Sequence, residues 1–413
     1  MKNQNRKIPK IRFKSFEKRW ESCRLSEYSS YRRGSFPQPY GNKEWYGGNN
    51  AMPFVQVVDV LENLRLAADT KQKISTLAQP MSVFVPSDSV IVTLQGSIGR
   101  VAITQYDAYV DRTILTFEDY ISQTNKEFWA YTIRNKFEIE RQKAPGGTIK
   151  TITKEALSDF KVSIPNYSEQ SAIGFLFRTL DDLLSSYKDN LANYQSLKAT
   201  MLSKMFPKAG HTVPEIRLEG FEGEWVEKRL KDISKRVTRK NNDLVSERAL
   251  TISAQFGLID QEEFFQKKIA SKDVSEYYLI KKGEFAYNKS YSTGYPLGAI
   301  KRLDKYENGV LSTLYILFKA VDVDSDYLTH YYESDKWHRE VSMCAAEGAR
   351  NHGLLNIAPA DFFNTRLVIP KELTEQRAIG SYFSTLDNLI NSYQEKISQL
   401  ETLKKKLLQD MFI

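Results

Sequence analysis

Apolar positions follow two regimes along the chain. In the first, short aliphatic and aromatic runs are bounded by glycine, proline, asparagine and serine: PFVQVVDV near Val55, SVFVP near Phe84, SVIVTL near Val92 and GRVAIT near Val101. Such runs predict strands. A helical stretch from Asn125 to Lys143, carrying Phe128, Tyr131, Ile133, Phe137 and Ile139, interrupts them. The same regime returns later with ALTISA, EFAYNKS, GAIKRL and LYILFKA as strands and a helix from about Asp326 to Met343.

In the second regime apolar residues recur every three or four positions: Ile173, Leu176, Leu180, Leu183, Tyr187, Leu191, Tyr194, Leu197 and Met201. Adding 206 to each gives Ile379, Tyr382, Leu386, Leu389, Tyr393, Ile397, Leu400, Leu403 and Leu407, all apolar or aromatic. This spacing predicts two long helices with a narrow coiled-coil seam. Ser168 and Thr374 stand where N-caps belong, and Pro207 ends the first helix. From Glu169 to Phe206 the first helix would be roughly 57 Å long. Two such seams in one chain can bury each other as an antiparallel pair.

The helices belong to an internal repeat. PKIRFKSFEKRW at 9–20 returns as PEIRLEGFEGEW at 214–225, and EQSAIGFLFRTLDDL from Glu169 returns as EQRAIGSYFSTLDNL from Glu375. Between these frames the interiors, roughly 21–150 and 226–350, share little. The expected fold is α+β: two mixed α/β domains in a pseudo-twofold tandem repeat, separated by two long helices forming an antiparallel coiled coil. The expected boundaries are a basic segment at 1–19, a first domain at 20–165, a helix at 166–207, a linker into the second repeat at 208–224, a second domain at 225–370 and a helix at 371–413.

Composition narrows the function classes. With 413 residues, 41% of them hydrophobic, the chain can build more than one core. Its net charge of +8 suggests an anionic partner. That excess is local: residues 1–19 hold 8 basic and 1 acidic residues, whereas 20–165 hold 17 and 16. Only two cysteines, Cys23 and Cys344, are present, so no disulfide framework is expected. No apolar run approaches the roughly 18 residues of a membrane helix, and a cytoplasmic protein without a membrane partner is expected.

Catalytic patterns are weak. No glycine-rich dinucleotide fingerprint, P-loop or Pro-Pro-aromatic motif occurs. Asp69-Thr70-Lys71 and Asp159-Phe160-Lys161 look like fragments of a nuclease motif, but a carboxylate two residues before a lysine arises readily by chance. His330, His338 and Cys344 match no familiar zinc spacing, and no metal site is expected. Glycine-bearing polar loops are more suggestive, since glycine permits close approach and their side chains suit phosphates and base edges. In the first half these are Tyr31, Arg32 and Arg33; Gln95, Ser97 and Arg100; and Lys143, Thr148 and Lys150. In the second they are Lys235, Arg236, Arg239 and Lys240; Asn288, Lys289, Ser290, Tyr291 and Thr293; and Arg350, Asn351 and His352.

Taken together, the motifs resemble the specificity subunits of Type I restriction-modification systems over nearly the whole chain. The frame P-x-I-R-[FL]-x-x-F-E-x-x-W at Pro9 and Pro214 is similar to that family's start of each target recognition domain. Ile-Pro at Ile164 and Ile369, followed by E-Q-x-A-I-G, is similar to its exit into the helices. Trp45-Tyr46-Gly47-Gly48 before Pro53-Phe54-Val55, the segment Lys282 to Ser290, and G-V-L-S-T-L-Y at Gly309 to Tyr315 also resemble family segments. The resemblance implies a non-catalytic subunit whose two target recognition domains each read half of a bipartite site in double-stranded DNA. It further implies helices that set the spacer and dock two modification (methyltransferase) subunits using S-adenosylmethionine, with restriction subunits using ATP and Mg; no cofactor would be bound by this chain. A different class remains open at this stage, a coiled-coil scaffold joining two protein-binding domains without DNA recognition.

Overall fold

The computed structural model describes residues 8–143, 157–253, 256–267, 273–290, 295–345 and 355–412. The chain divides into two compact units, Met1–Asp189 with Glu395–Ile413, and Asn190–Gln394. Both are α+β.

In the first unit β1 (Glu21–Arg24), the one-turn helix α1 (Leu25–Tyr28) and β2 (Ser29–Arg33) are followed by β3 (Met52–Val55), β4 (Gln72–Ile74) and β5 (Val83–Val85). Then come β6 (Val90–Thr93), β7 (Val101–Ile103), β8 (Ala108–Val110), β9 (Ile114–Tyr120), α2 (Lys126–Lys143), β10 (Lys161–Ile164) and the start of α3 (Tyr167–Lys204). The central sheet has the order β2-β9-β6-β7 and is antiparallel throughout. Its β6 strand is buried on both faces, which explains a run of aliphatics without polar alternation. Val90 and Val92 meet Phe128, Trp129 and Phe137 of α2 in one core. Ile91 faces the other way, onto a second sheet ordered β4-β3-β8-β5.

The second unit repeats the plan with β11 (Val226–Arg229), α4 (Leu230–Ile233), β12 (Ser234–Val237), β13 (Leu250–Ser253), β14 (Gly257–Asp260), α5 (Gln261–Phe265) and β15 (Tyr278–Lys281). After these come β16 (Phe285–Asn288), β17 (Ala299–Arg302), β18 (Asn308–Leu311), β19 (Ile316–Ala320), α6 (Ser325–Glu333), α7 (His338–Cys344), α8 (Pro359–Phe363), β20 (Arg366–Ile369) and α9 (Leu373–Met411). Its central sheet, β12-β19-β16-β17, matches that of the first unit, but the layer behind it is two separate strand pairs, β13 with β14 and β15 with β18. The helix expected from Asp326 to Met343 is broken in two. Ser334 closes α6 by donating its hydroxyl to the Tyr331 carbonyl, and the Trp337 indole N–H donates to the Tyr332 carbonyl before α7 begins.

The repeated frame motifs have a common physical role. Arg12 holds Glu169 with two hydrogen bonds of 2.6 and 2.7 Å, and the Trp20 indole donates to the same carboxylate at 3.2 Å. In the second unit Arg217 holds Glu375 at 2.7 and 2.8 Å, with Trp225 donating at 3.1 Å. Both carboxylates are buried, so each needs its guanidinium. The following glutamines do matching work: Gln170 accepts from the Asn125 N–H and donates to the Pro165 carbonyl, as Gln376 does with Asp324 and Pro370. Strand β1 pairs with β10, and β11 with β20, closing each domain beside its frame. The glycine of E-Q-x-A-I-G marks a close approach. A Cβ on Gly174 would strike the Asn125 side-chain oxygen, and one on Gly380 would lie 2.8 Å from the Tyr327 nitrogen.

Helix α3 starts at Tyr167, one residue before the expected cap Ser168. The capping oxygen is that of Asn166, which accepts from the Glu169 N–H at 3.0 Å. Thr374 likewise lies inside α9. Within the first unit the two long helices run antiparallel, with Lys404 bound to Asp181 and Lys188 to Glu401. Within the second unit Lys198 binds Asp387, and the Tyr194 ring packs against that of Tyr393 at a tilt of 38°.

The apolar face of these helices differs from the narrow stripe read from the sequence. Ile173, Leu180, Ile379, Leu386 and Ile397 are buried, and Leu176, Tyr187, Leu191, Tyr194, Met201, Tyr382, Leu389, Tyr393, Leu400 and Leu407 are half-buried. Leu183, Leu197 and Leu403 are corrections, being 39, 37 and 45% exposed. The residues buried instead include Phe177, Leu184, Phe383 and Ile390. The beginning of each helix packs into its own unit over a broad face, which follows the 3.6-residue period rather than the 3.5 of a seam. The far ends also plug cores: Phe412 stacks on Phe128 in the first unit, and Phe206 on Phe383 in the second.

Candidate nucleic-acid interface

Strand register gathers the described parts of two predicted loops at one end of each central sheet. In the first unit Arg33 pairs with Leu115 and Thr93 with Ile114, so the end of β2, the start of β9 and the β6–β7 turn share an edge of the fold. Gly99 of that turn lies against Phe137 of α2 at a φ of +80°, where only a glycine fits both the turn and the contact. The glycine therefore serves packing as well as the loop. Beside it an open cavity of about 860 Å³ is lined by Ser97, Arg100, Arg134, Asn135, Lys405 and Gln409 among others. In the second unit Val237 pairs with Leu317, which also pairs with Ala286, bringing Thr238 to Lys240 and Asn288 to Ser290 to the corresponding end.

The chemistry of the individual side chains is uneven. Tyr31 is half-buried, its ring edge-on to Phe117 and its hydroxyl bonded to Ser158, so it belongs to the core. Arg32 is exposed but ion-paired with Glu118 at 2.9 Å. Arg33 is exposed and gives its Nε–H to the Arg112 carbonyl. Arg112, which the sequence reading passed over, is also exposed and lies 5.0 Å over the Tyr40 ring. Neither Arg33 nor Arg112 has an acidic partner among the described residues. Gln95 is half-buried, Ser97 exposed, and Arg100 bound to the Val60 carbonyl and 3.7 Å from Glu62.

In the second unit Lys235 and Arg236 are exposed, Lys235 directly opposite Lys319 across the ladder. Arg239 is committed elsewhere, bidentate to Glu284 at 3.0 and 3.2 Å, and Lys240 is held by Glu276. Asn288 accepts from the Ser290 N–H, and Lys289 donates to the Ile357 carbonyl. Lys143 is the last residue of α2. Thr148, Lys150, Tyr291, Thr293, Arg350, Asn351 and His352 lie outside the described residues.

Groups weighed for catalysis fall apart. Asp69 pairs with Lys73, and Asp159 lies 3.7 Å from Arg24, both on the surface. His330 does not meet His338 or Cys344 in a ligand set. It donates or accepts at Glu333 (3.0 Å) with Asp387 close by, a cluster whose three ligand atoms lie within 4.8 Å of one another. Lys198 already fills the cationic place there, 2.8 Å from Glu333 and 2.5 Å from Asp387. Burial works against Glu333, but the His330 hydrogen bond and the charges of Lys198 and Lys301 hold its carboxyl well below the usual range. The counterpart in the first unit is Asp181, bound by Lys404 and the Tyr131 hydroxyl.

Residues 17–194 match the family profile described as Type I restriction modification DNA specificity domain. The Type I restriction enzyme MjaVIII specificity subunit of Methanocaldococcus jannaschii is 20% identical over 403 residues, covering 94% of this chain and 91% of that protein. The chain is similar to the specificity subunits of Type I restriction-modification systems. The solved S subunit of a Type I system from M. genitalium has the same fold, with a TM-score of 0.60 at 16% identity over 98% of this chain and 99% of that one. A second structure, described as the basis of complex assembly and conformational transition of the type I R-M system, has a TM-score of 0.51 at 14% identity over 94 and 96%. Among the described residues no helix is long and apolar enough to cross a membrane.

Proposed function

We propose that each unit reads one half of a bipartite DNA site through the loop end of its central sheet. The observation that carries this reading is the pairing of one repeated frame with two unlike loop ends: the same Arg–Glu–Trp lock supports both domains, while the side chains at their loop ends differ. A protein that must recognise two different half-sites with one construction needs that division. Arg33 and Arg112 in the first unit, and Lys235, Arg236 and Asn288 in the second, have the chemistry for phosphates and base edges. The remaining loop residues named from the sequence are proposed as contacts on the same ground, excepting Tyr31, Arg32, Arg100, Arg239 and Lys240, whose polar groups meet Ser158, Glu118, Glu62, Glu284 and Glu276 within the protein.

In this reading the two long helices set the distance between half-sites and dock two modification subunits, which methylate adenine with S-adenosylmethionine. Restriction subunits using ATP and Mg complete the complex, which acts on DNA in the cytoplasm. The chain itself binds no cofactor. Methylation-site sequencing of cells with and without this chain tests the proposal. A single split adenine motif that vanishes on deletion is expected; a motif that persists, or one without a gap, contradicts it.

A further inference from the structure

Lys289 stands where the first repeat places a core leucine. Along β6, Val90 and Val92 face the helical layer, and Leu94, two residues on, is 5% exposed in the same core. Along β16, Phe285 and Tyr287 face the helical layer, and Lys289 is two residues on. The ladders fix the correspondence: Val92 lies between Leu115 and Val101, as Tyr287 lies between Ile316 and Ile300.

A lysine in that place is expensive. It is half-buried, its ammonium donates to the Ile357 carbonyl at 3.3 Å, and among the described residues no carboxylate is paired with it. Burial pushes its pKa down, and among the described residues no neighbouring charge opposes the shift. Two neighbouring cations at this end are neutralised within the protein, Arg239 by Glu284 and Lys240 by Glu276. A cation that is desolvated, uncompensated and set at a loop end has the character of an anion contact awaiting its partner.

We infer that Lys289 is a phosphate contact of the second unit, gripping the DNA backbone at a point where the first unit makes no equivalent contact. The inference rests on the loop-end reading above. The bland alternative is a lysine that merely extends its apolar stem along the core and tethers Ile357.

The two are separable because leucine at the matching position shows that an apolar residue fits this face. The full chain and its Lys289→Met and Lys289→Arg variants would be titrated with a fluorescein-labelled duplex DNA of mixed sequence across a range of NaCl concentrations, alongside thermal unfolding. Lys289→Met is expected to keep or raise the melting temperature, flatten the salt dependence of log K by about 0.9, and weaken binding roughly eightfold at 0.1 M salt. Lys289→Arg should retain the wild-type slope. An unchanged slope in Lys289→Met overturns the inference while leaving the loop-end reading intact. Wild-type binding that is indifferent to salt overturns both. If inorganic phosphate at matched ionic strength stabilises wild type but not Lys289→Met while the DNA slopes agree, the site serves a free anion and the DNA contact is refuted.

Discussion

The frame end and the loop end of each unit obey different rules. At the frame, Arg12–Glu169–Trp20 and Arg217–Glu375–Trp225 reproduce one another bond for bond. At the loop end, Leu94 becomes Lys289, Arg33 and Arg112 have no matching arginine pair among the described residues, and Arg239 is tied to Glu284. The difference teaches that the fold is specified where a buried charge must be matched, which leaves the opposite edge free to change its chemistry without unfolding the domain. Substitutions can break or sharpen that contrast.

The largest effect is expected at the frame. Removing one partner of a buried ion pair strands the other, so Glu169→Ala and Arg217→Ala should each cost about 3–5 kcal/mol. Hydrogen exchange on the full chain should locate the loss in the unit that carries the change. Equal loss of protection in both units would show that the frames are not independent. Next come the aromatic plugs: Phe412→Ala should cost about 3 kcal/mol in the first unit and Phe206→Ala a similar amount in the second. Chemical denaturation measures both, and losses well under 1 kcal/mol would mean that the helix ends fray without consequence.

These features were unequally legible in the sequence. The frame could be read because its residues recur as motifs, and the short aliphatic run Val90-Ile91-Val92 revealed a strand, although not that both its faces are covered. The plugs were missed although Met205-Phe206 and Met411-Phe412 repeat at the same spacing of 206, because two residues beyond a helical stripe carry little periodic signal. Leu183, Leu197 and Leu403 fit a heptad on paper, yet packing into a domain follows the broader helical face and selects Phe177 and Leu184. Arg112 was invisible because only the register of β2 against β9 sets it beside Arg33. Arg239 looked available because its partner, Glu284, is 45 residues away.

Smaller effects separate the units themselves. Tyr131→Phe removes a hydroxyl bound to Asp181 and should cost about 1.5–3 kcal/mol. A melting temperature equal to that of wild type would show the bond to be inconsequential. Acid should act on the second unit through Glu333. Its carboxyl is depressed in the folded state, so its stabilisation is complete above the ordinary glutamate pKa of about 4.3 and is lost as pH falls below that value. Exchange protection of α6, corrected for intrinsic rates, should therefore fall on acidification, and Glu333→Gln should blunt the fall. An acid response identical in the variant would remove Glu333 as its source.

The central claim is that one loop end reads one half-site. Its most direct measurement is methylation-site sequencing of cells whose only specificity subunit carries Arg33→Ala with Arg112→Ala, both exposed residues of the first unit. The account predicts that one half of the split motif is relaxed or lost while the other half and the spacer stay as in wild type. Relaxation of both halves together, or an unaltered motif at full methylation, would contradict it.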